Sequence, residues 1–464
     1  MPDLEYIFHP KSIAVVGASS NPFSPVNYFF LDSLIKLDYE GKIYPIHPSA
    51  SELSGLKVYP SILDVPDSID LVICGIRADL TPQLMRQCVA KKVKVVQIYT
   101  SGFSETGKAQ GIRLEKELAE IARQGNVRVL GPNCMGIYCP DSKISYDPSL
   151  PKESGSVGLL AQSGGNSIET VQIGEAQGIH FSKVVSFGNA CDIDEAELLE
   201  YFTNDSQTKI IAGYIEGTRN GRAFFNALRK ATKVKPVIML KGGITEAGTK
   251  AAASHTGSLT GNIAIWHTLF RQSGVIQVYD LEELIDLLTL FQHLKPVRGR
   301  RVGLVGSGGG RGVLATDSCE GEGLVAPSFP PELRGKLREI VPEAADPGTS
   351  VCNPVDSSSK SLDPLTFSRI LRTVADHEGI DFILGYTRVT FGARIVNRLI
   401  DSLIEVKQSV SKPITMVTCH NIKPEVSNLA FSVQERCLQA GIPAFSSFNR
   451  AARAMSKFIQ YYEK

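Results

Sequence analysis

Short runs of Ile, Val, Leu and Ala alternate along this chain with longer stretches whose apolar residues recur every three or four positions. Brief apolar runs suit strands buried on both faces, and the longer periodic stretches suit helices. In the first third the pattern predicts strands near Ile13–Val16, Lys42–Ile46, Leu71–Cys74, Val93–Tyr99 and Val127–Leu130, with a helix over Glu105–Arg123. The second third restarts at Ser156–Ala161 and continues through Val184–Phe187, Ile210–Ile215 and Val237–Leu240. After a polar linker, Lys295 to Arg300, the last third runs through Arg301–Val305, Phe382–Gly385 and Ile414–Thr418. Such alternation predicts βαβ units and parallel sheets. At 464 residues the length prior is about three domains.

Each third opens with the same device, a hydrophobic strand running into a Gly/Ser turn before a helix. The instances are Val15-Val16-Gly17-Ala18-Ser19-Ser20, Leu160-Ala161-Gln162-Ser163-Gly164-Gly165 and Leu304-Val305-Gly306-Ser307-Gly308-Gly309-Gly310. Amides exposed at a helix start, with the positive end of its dipole, form anion sites. Gly17 stands where a doubly wound sheet binds phosphate, but the dinucleotide fingerprint fails, because its later glycines fall on Ser19 and Pro22. A plain tight turn at Gly17, and close strand–helix packing at the other two, remain open. The segments containing Pro45, Ser101 and Asn133-Cys134 follow later strands of the first sheet and reach the same carboxyl edge.

Composition narrows the classes. Lys+Arg is 49 against Asp+Glu 48, which gives no broad basic field for nucleic acid. No apolar run approaches the ~18–20 residues of a membrane span, and the N-terminus lacks a secretory pattern. The nine cysteines are scattered without zinc-ligand spacing. Reduced thiols in the cytoplasm, and no resident metal, are the expectation.

Two residues carry the candidate chemistry. His255 lies in a run of small and hydroxylated residues from Gly242 to Gly261, which reads as a mobile loop presenting the imidazole. An imidazole is a nucleophile that can accept a phosphoryl group. Glu216 ends the strand Ile210–Ile215. A carboxylate there can accept the imidazole N–H, fix its tautomer and leave the other nitrogen free to attack phosphorus. An exposed histidine and a solvated glutamate are the alternatives.

The motifs together resemble the α subunit of NDP-forming acyl-CoA synthetases, notably the archaeal ADP-forming acetyl-CoA synthetases of the succinyl-CoA synthetase superfamily. They are Val-Val-Gly-Ala-Ser at 15–19, Gly-Pro-Asn-Cys-Met-Gly at 131–136, Gln-Ser-Gly-Gly at 162–165, Ser-Phe-Gly-Asn at 186–189, Tyr-Ile-Glu-Gly at 214–217 and Ser-His-Thr-Gly-Ser at 254–258. The likeness spans essentially the whole chain. It implies an α/β protein of three doubly wound domains: a CoA-binding Rossmann domain over 1–140 and flavodoxin-like ligase domains over 141–296 and 297–464.

By the same resemblance, His255 is transiently phosphorylated and Glu216 orients it. Ser163, Gly164 and Gly165 open one phosphate-stabilising helix, and Gly308, Gly309 and Gly310 a second. CoA contacts fall on Gly17, Ala18, Ser19, Ser20, Pro45, Ser101, Asn133 and Cys134. Inorganic phosphate is a substrate. ADP or ATP with Mg²⁺ would sit on an ATP-grasp β subunit, for which this chain has no segment, in an α2β2 assembly. Two stretches depart from the family pattern. Gly309-Gly310-Arg311-Gly312 stands where members often carry Gly-Gly-Pro-Gly, and residues 357–360 are unusually polar. A non-catalytic CoA-binding scaffold is the alternative, and the incomplete fingerprint argues against a third reading, an NAD-dependent dehydrogenase.

Overall fold

The computed structural model describes residues 4–21, 23–256, 262–342, 351–356, 363–419 and 423–463, with the side chains of 251, 253–256 and 419 outside that description. Three parallel sheets emerge. The first joins β1 (Ser12–Val16), β2 (Lys42–Ile46), β5 (Leu71–Cys74), β6 (Val95–Ile98) and β7 (Arg128–Leu130). The two-residue strands β3 (Glu52–Leu53) and β4 (Leu56–Lys57) form a separate hairpin. The second sheet joins β8 (Gly136–Tyr138), β9 (Val157–Ala161), β10 (Phe181–Ser186), β11 (Ile210–Ile215), β12 (Val237–Lys241) and β13 (Ile276–Val278). The third joins β14 (Val302–Gly306), β15 (Val355–Asp356), β16 (Phe382–Arg388), β17 (Ile414–Cys419) and β18 (Ala444–Phe445).

Strand order is the same in all three. It runs β2-β1-β5-β6-β7, then β10-β9-β11-β12-β13 with β8 added antiparallel on the edge, then β15-β14-β16-β17-β18. In each sheet the opening strand sits where the order reverses, the crevice at which doubly wound folds bind ligands. The repeated Gly/Ser device of the sequence therefore lands at three equivalent switch points. Met1–Glu175 with Ile179–Leu284 forms one compact unit holding the first two sheets; Ala176–Gly178 with Ile285–Lys464 forms a second unit holding the third.

Burial on both faces explains the unbroken apolar runs. Ala14, Val72, Val96 and Val129 of the first sheet pack against Met85 and Cys88 of the Thr81–Lys91 helix and Leu118 and Ala122 of the Ala109–Gly125 helix. In the second unit, Ile383 and Met416 pack with Leu371, Val374, Leu399 and Leu403. Each fully buried Leu, Ile or Val contributes roughly 1.5–3 kcal/mol.

Two sequence expectations are corrected. The helix expected from Glu105 begins at Ala109. Glu105 instead turns back, accepting the amides of Gly102 (2.5 Å) and Phe103 (3.0 Å), and Gly107 has φ 66°. The loop expected around His255 is helical over Glu246–Thr256. Its alanine-rich sequence has high helix propensity, Glu246 and Lys250 pair at 2.9 Å one turn apart, and Thr245 Oγ1 accepts the Gly248 amide at 3.0 Å. Residues 257–261 of that stretch lie outside the described residues. The short strands β8, β13 and β18 were not foreseen, because two or three residues carry no readable period.

Candidate functional site

At the carboxyl edge of the second sheet, β9 is followed by Gln162 and Ser163, and a helix runs over Gly164–Ala176. Ser163 Oγ accepts the Asn166 amide at 3.4 Å. Gly164 and Gly165 open the helix, so their amides project from its N-terminal end. A Cβ at Gly164 would collide with the Met135 side chain, so the helix start is seated on the turn after β7.

Glu216 follows β11 directly and is 4 % exposed. Gln162 Oε1 accepts the amides of Glu216 at 2.5 Å and Gly217 at 3.0 Å. The Tyr214 hydroxyl donates to Glu216 Oε1 at 3.0 Å. Lys241, ending β12, donates to the Glu216 carbonyl at 2.7 Å and to the Gly242 carbonyl. Its ammonium lies 5.0 Å from the Trp266 ring centroid. Burial pushes the Lys241 pKa down to about 8, and the charge of Glu216 opposes that shift. The structure thus brings Ser163, Gly164 and Glu216 to one edge through Gln162 and Tyr214.

The chain then turns at Gly242-Gly243 into the Glu246–Thr256 helix. Thr249 Oγ1 donates to the Gly243 carbonyl at 3.0 Å, folding the helix back on its entry. This helix lies against the Ser104–Thr106 turn of the first sheet's edge. His255 is its penultimate residue; the imidazole lies outside the described side chains. Nearby, Glu195 is buried beside Thr218, which donates to it, and burial raises its carboxyl pKa to about 7.

At the first sheet, Gly17 adopts φ 99°, and a Cβ there would lie 2.9 Å from the Gly75 backbone. Glycine is required on both counts. Gly17, Ala18 and Ser19 line a cavity of about 600 Å³ with Ile46, His47, Pro48 and Arg77. The Ser19 amide is held by Asn27 Oδ1 at 2.9 Å. Ser20 is exposed. Pro45 is buried within β2, and the three residues after it reach the cavity. Ser101 is exposed and stands apart from that lining. Asn133 has φ 58° and its Nδ2 approaches Asn189 Oδ1 at 3.4 Å. Cys134 is 3 % exposed with its thiol against the Ile98 carbonyl, and burial raises its pKa, so this position offers a ligand its backbone. His47 belongs to the Pro45 segment expected at this edge, whereas Arg77, which follows the end of β5, was missed.

In the second unit, Gly308 (φ 98°) precedes the Gly309–Gly321 helix. Asp356 Oδ1 accepts the Gly308 amide at 2.9 Å. Tyr386 is 1 % exposed, and among the described residues its hydroxyl has no hydrogen-bond partner.

Comparison with known proteins settles the family. Residues 11–140 match the model of a CoA binding domain, and 154–291 that of a succinyl-CoA ligase like flavodoxin domain. The chain is 35 % identical to the α subunit of an ADP-forming acetate–CoA ligase of Pyrococcus furiosus, covering 99 % of this chain and 97 % of that one. The chain belongs to the ADP-forming acetate–CoA ligase α-subunit family. An ADP-forming acetate–CoA ligase from Methanocaldococcus jannaschii is 41 % identical over 76 % of this chain, which spans about half (49 %) of that longer protein. The solved acetyl-coenzyme A synthetase 1 of Candidatus Korarchaeum cryptofilum, in complex with phosphate and ADP, superposes with a TM-score of 0.85 at 31 % identity, covering 100 % of this chain and 97 % of that one. Membership in this ligase family makes the chain a subunit of an enzyme and disfavours the scaffold reading. Among the described residues no helix is long and apolar enough to cross a membrane.

Proposed function

We propose that this ligase α subunit, as an acetate–CoA ligase, catalyses acyl-CoA + ADP + phosphate to acid + ATP + CoA, with acetyl as the acyl group. CoA lies in the first-sheet cavity with its thioester toward the Ser101 and Asn133–Cys134 edge. Phosphate oxygen attacks the thioester carbonyl, the C–S bond breaks, and the thiolate leaves with an acyl phosphate formed. A ring nitrogen of His255 then attacks phosphorus, and the carboxylate leaves. Glu216 accepts the other ring N–H and balances the charge that develops on the imidazole. The helix starts at Ser163–Gly165 and Gly308–Gly310 hold the phosphoryl oxygens at two stations. ADP takes the phosphoryl group on a separate ATP-grasp β subunit, which would hold Mg²⁺, in a cytoplasmic α2β2 enzyme. Residues 1–140, 141–296 and 297–464 are its three functional domains.

The observation that carries the reading is the clustering at one edge of the second sheet. The Ser163–Gly165 helix start, the buried Glu216 and the entry to the His255 helix are linked by Gln162, Tyr214 and Lys241. The test is to incubate the full chain and its His255→Ala variant with acetyl-CoA and ³²P-labelled phosphate. Base-stable, acid-labile label is expected on the wild type and none on the variant. Equal labelling of the two would remove His255 from the reaction.

A further inference from the structure

Glu216 is held far more tightly than its proposed task alone requires. A carboxylate at a strand end ordinarily keeps several rotamers and a mobile backbone. Here the residue is fixed at three points by three elements. From β9, Gln162 takes the amides of Glu216 and Gly217 on one oxygen. From β12, Lys241 takes the Glu216 carbonyl. From its own strand two residues back, on the same face, Tyr214 occupies Oε1.

The surroundings are fitted to these three side chains. A Cβ at Gly242 would strike the Tyr214 hydroxyl, so the turn that leads to the His255 helix leaves room for that phenol. Tyr214 also meets Asn166 in the first turn of the Gly164–Ala176 helix. Lys241 ties the carbonyl of Glu216 to that of Gly242, the strand end to the loop entry. Gln162 and Lys241 are both buried.

We propose that Tyr214, Gln162 and Lys241 are positioning residues that lock the Glu216 carboxylate in the orientation that aligns the His255 ring. The proposal rests on the carrier role of His255 and Glu216 proposed above. With Oε1 taken by the phenol, Oε2 is the carboxylate's second acceptor. The lock removes the entropy of ordering Glu216 from the reaction itself. The charged and titratable groups facing the carboxylate, among the described side chains, are the Tyr214 phenol on its own strand and the Lys241 ammonium on β12. Burial and the nearby carboxylate raise the phenol's pKa, so it remains a donor throughout the neutral range.

The test uses the full chain with acetyl-CoA and ³²P-labelled phosphate, followed in single turnover from pH 5 to 9. Tyr214→Phe removes one oxygen and keeps the ring. It is expected to slow His255 labelling about tenfold or more, the scale of one hydrogen bond to a charged group, with half-saturation by both substrates unchanged. Lys241→Met removes the donor to the Glu216 carbonyl and is expected to slow labelling as well, whereas Lys241→Arg restores much of the rate. A wild-type rate of labelling in Tyr214→Phe would overturn the proposal while the carrier reading stands. Absence of label on the wild-type chain would remove the carrier reading and this one with it.

Discussion

The turns after β9 and β14 occupy the same switch point in sheets of the same strand order, yet their surroundings differ. After β9, a serine caps the helix, and the carboxylate of Glu216 accepts the Tyr214 hydroxyl. After β14, the carboxylate of Asp356 accepts the first glycine amide directly, at 2.9 Å. Arg311 follows three residues later. A carboxylate at a helix start is favoured by the same dipole that favours phosphate. The second turn is therefore already partly satisfied, and an incoming phosphate meets a negative charge there. Equivalent topology places two helix starts alike, while side chains from neighbouring strands decide how open each is to an anion.

The comparison breaks most readily at the two carboxylates. Glu216→Gln is expected to lower the rate of His255 labelling by on the order of 10²–10⁴, the usual scale of acid–base assistance. Asp356→Asn keeps an acceptor for the Gly308 amide and removes the charge. It should tighten inorganic phosphate binding, read by calorimetry on the full chain, by roughly two- to fivefold. Equal losses of rate in both variants would mean that the two carboxylates act alike.

Glycine substitutions sharpen the same contrast in stability. At Gly164 an added methyl meets Met135, whereas at Gly310 it meets nothing within 4 Å among the described residues. Gly164→Ala should cost about 1–3 kcal/mol in denaturant unfolding. Gly310→Ala should be neutral or stabilising by up to about 1 kcal/mol, because alanine loses less backbone entropy in a helix. Similar losses at both sites would show that the second helix start is as tightly seated as the first.

The smallest effect concerns pH. Glu195, on the second sheet's edge, has its pKa raised from 4.5 to about 7 by burial. The folded chain then holds a proton that the unfolded chain has lost between those values. Its contribution to stability is complete below about pH 4.5 and is lost as pH rises through about 7. Melting curves across that window should fall with pH in the wild type and flatten in Glu195→Gln. An unchanged slope would assign the dependence to other groups.

The sequence by itself determined the α/β class, the opening strand of each sheet and the family, because buried parallel strands must be continuously apolar and a switch-point turn needs glycine. Glu216 was legible as a carboxylate at a strand end. Only tertiary structure decided what holds it. Gln162 and Lys241 reach it from β9 and β12, 54 and 25 residues away in the chain, and no local pattern encodes a contact at that separation. His255 shows the limit from the other side. Its small residues read as a loop, but the alanines among them, a Glu246–Lys250 pair in the first turns and a capping threonine make a helix over Glu246–Thr256. Composition reported the absence of bulk, and backbone hydrogen bonding decided the conformation.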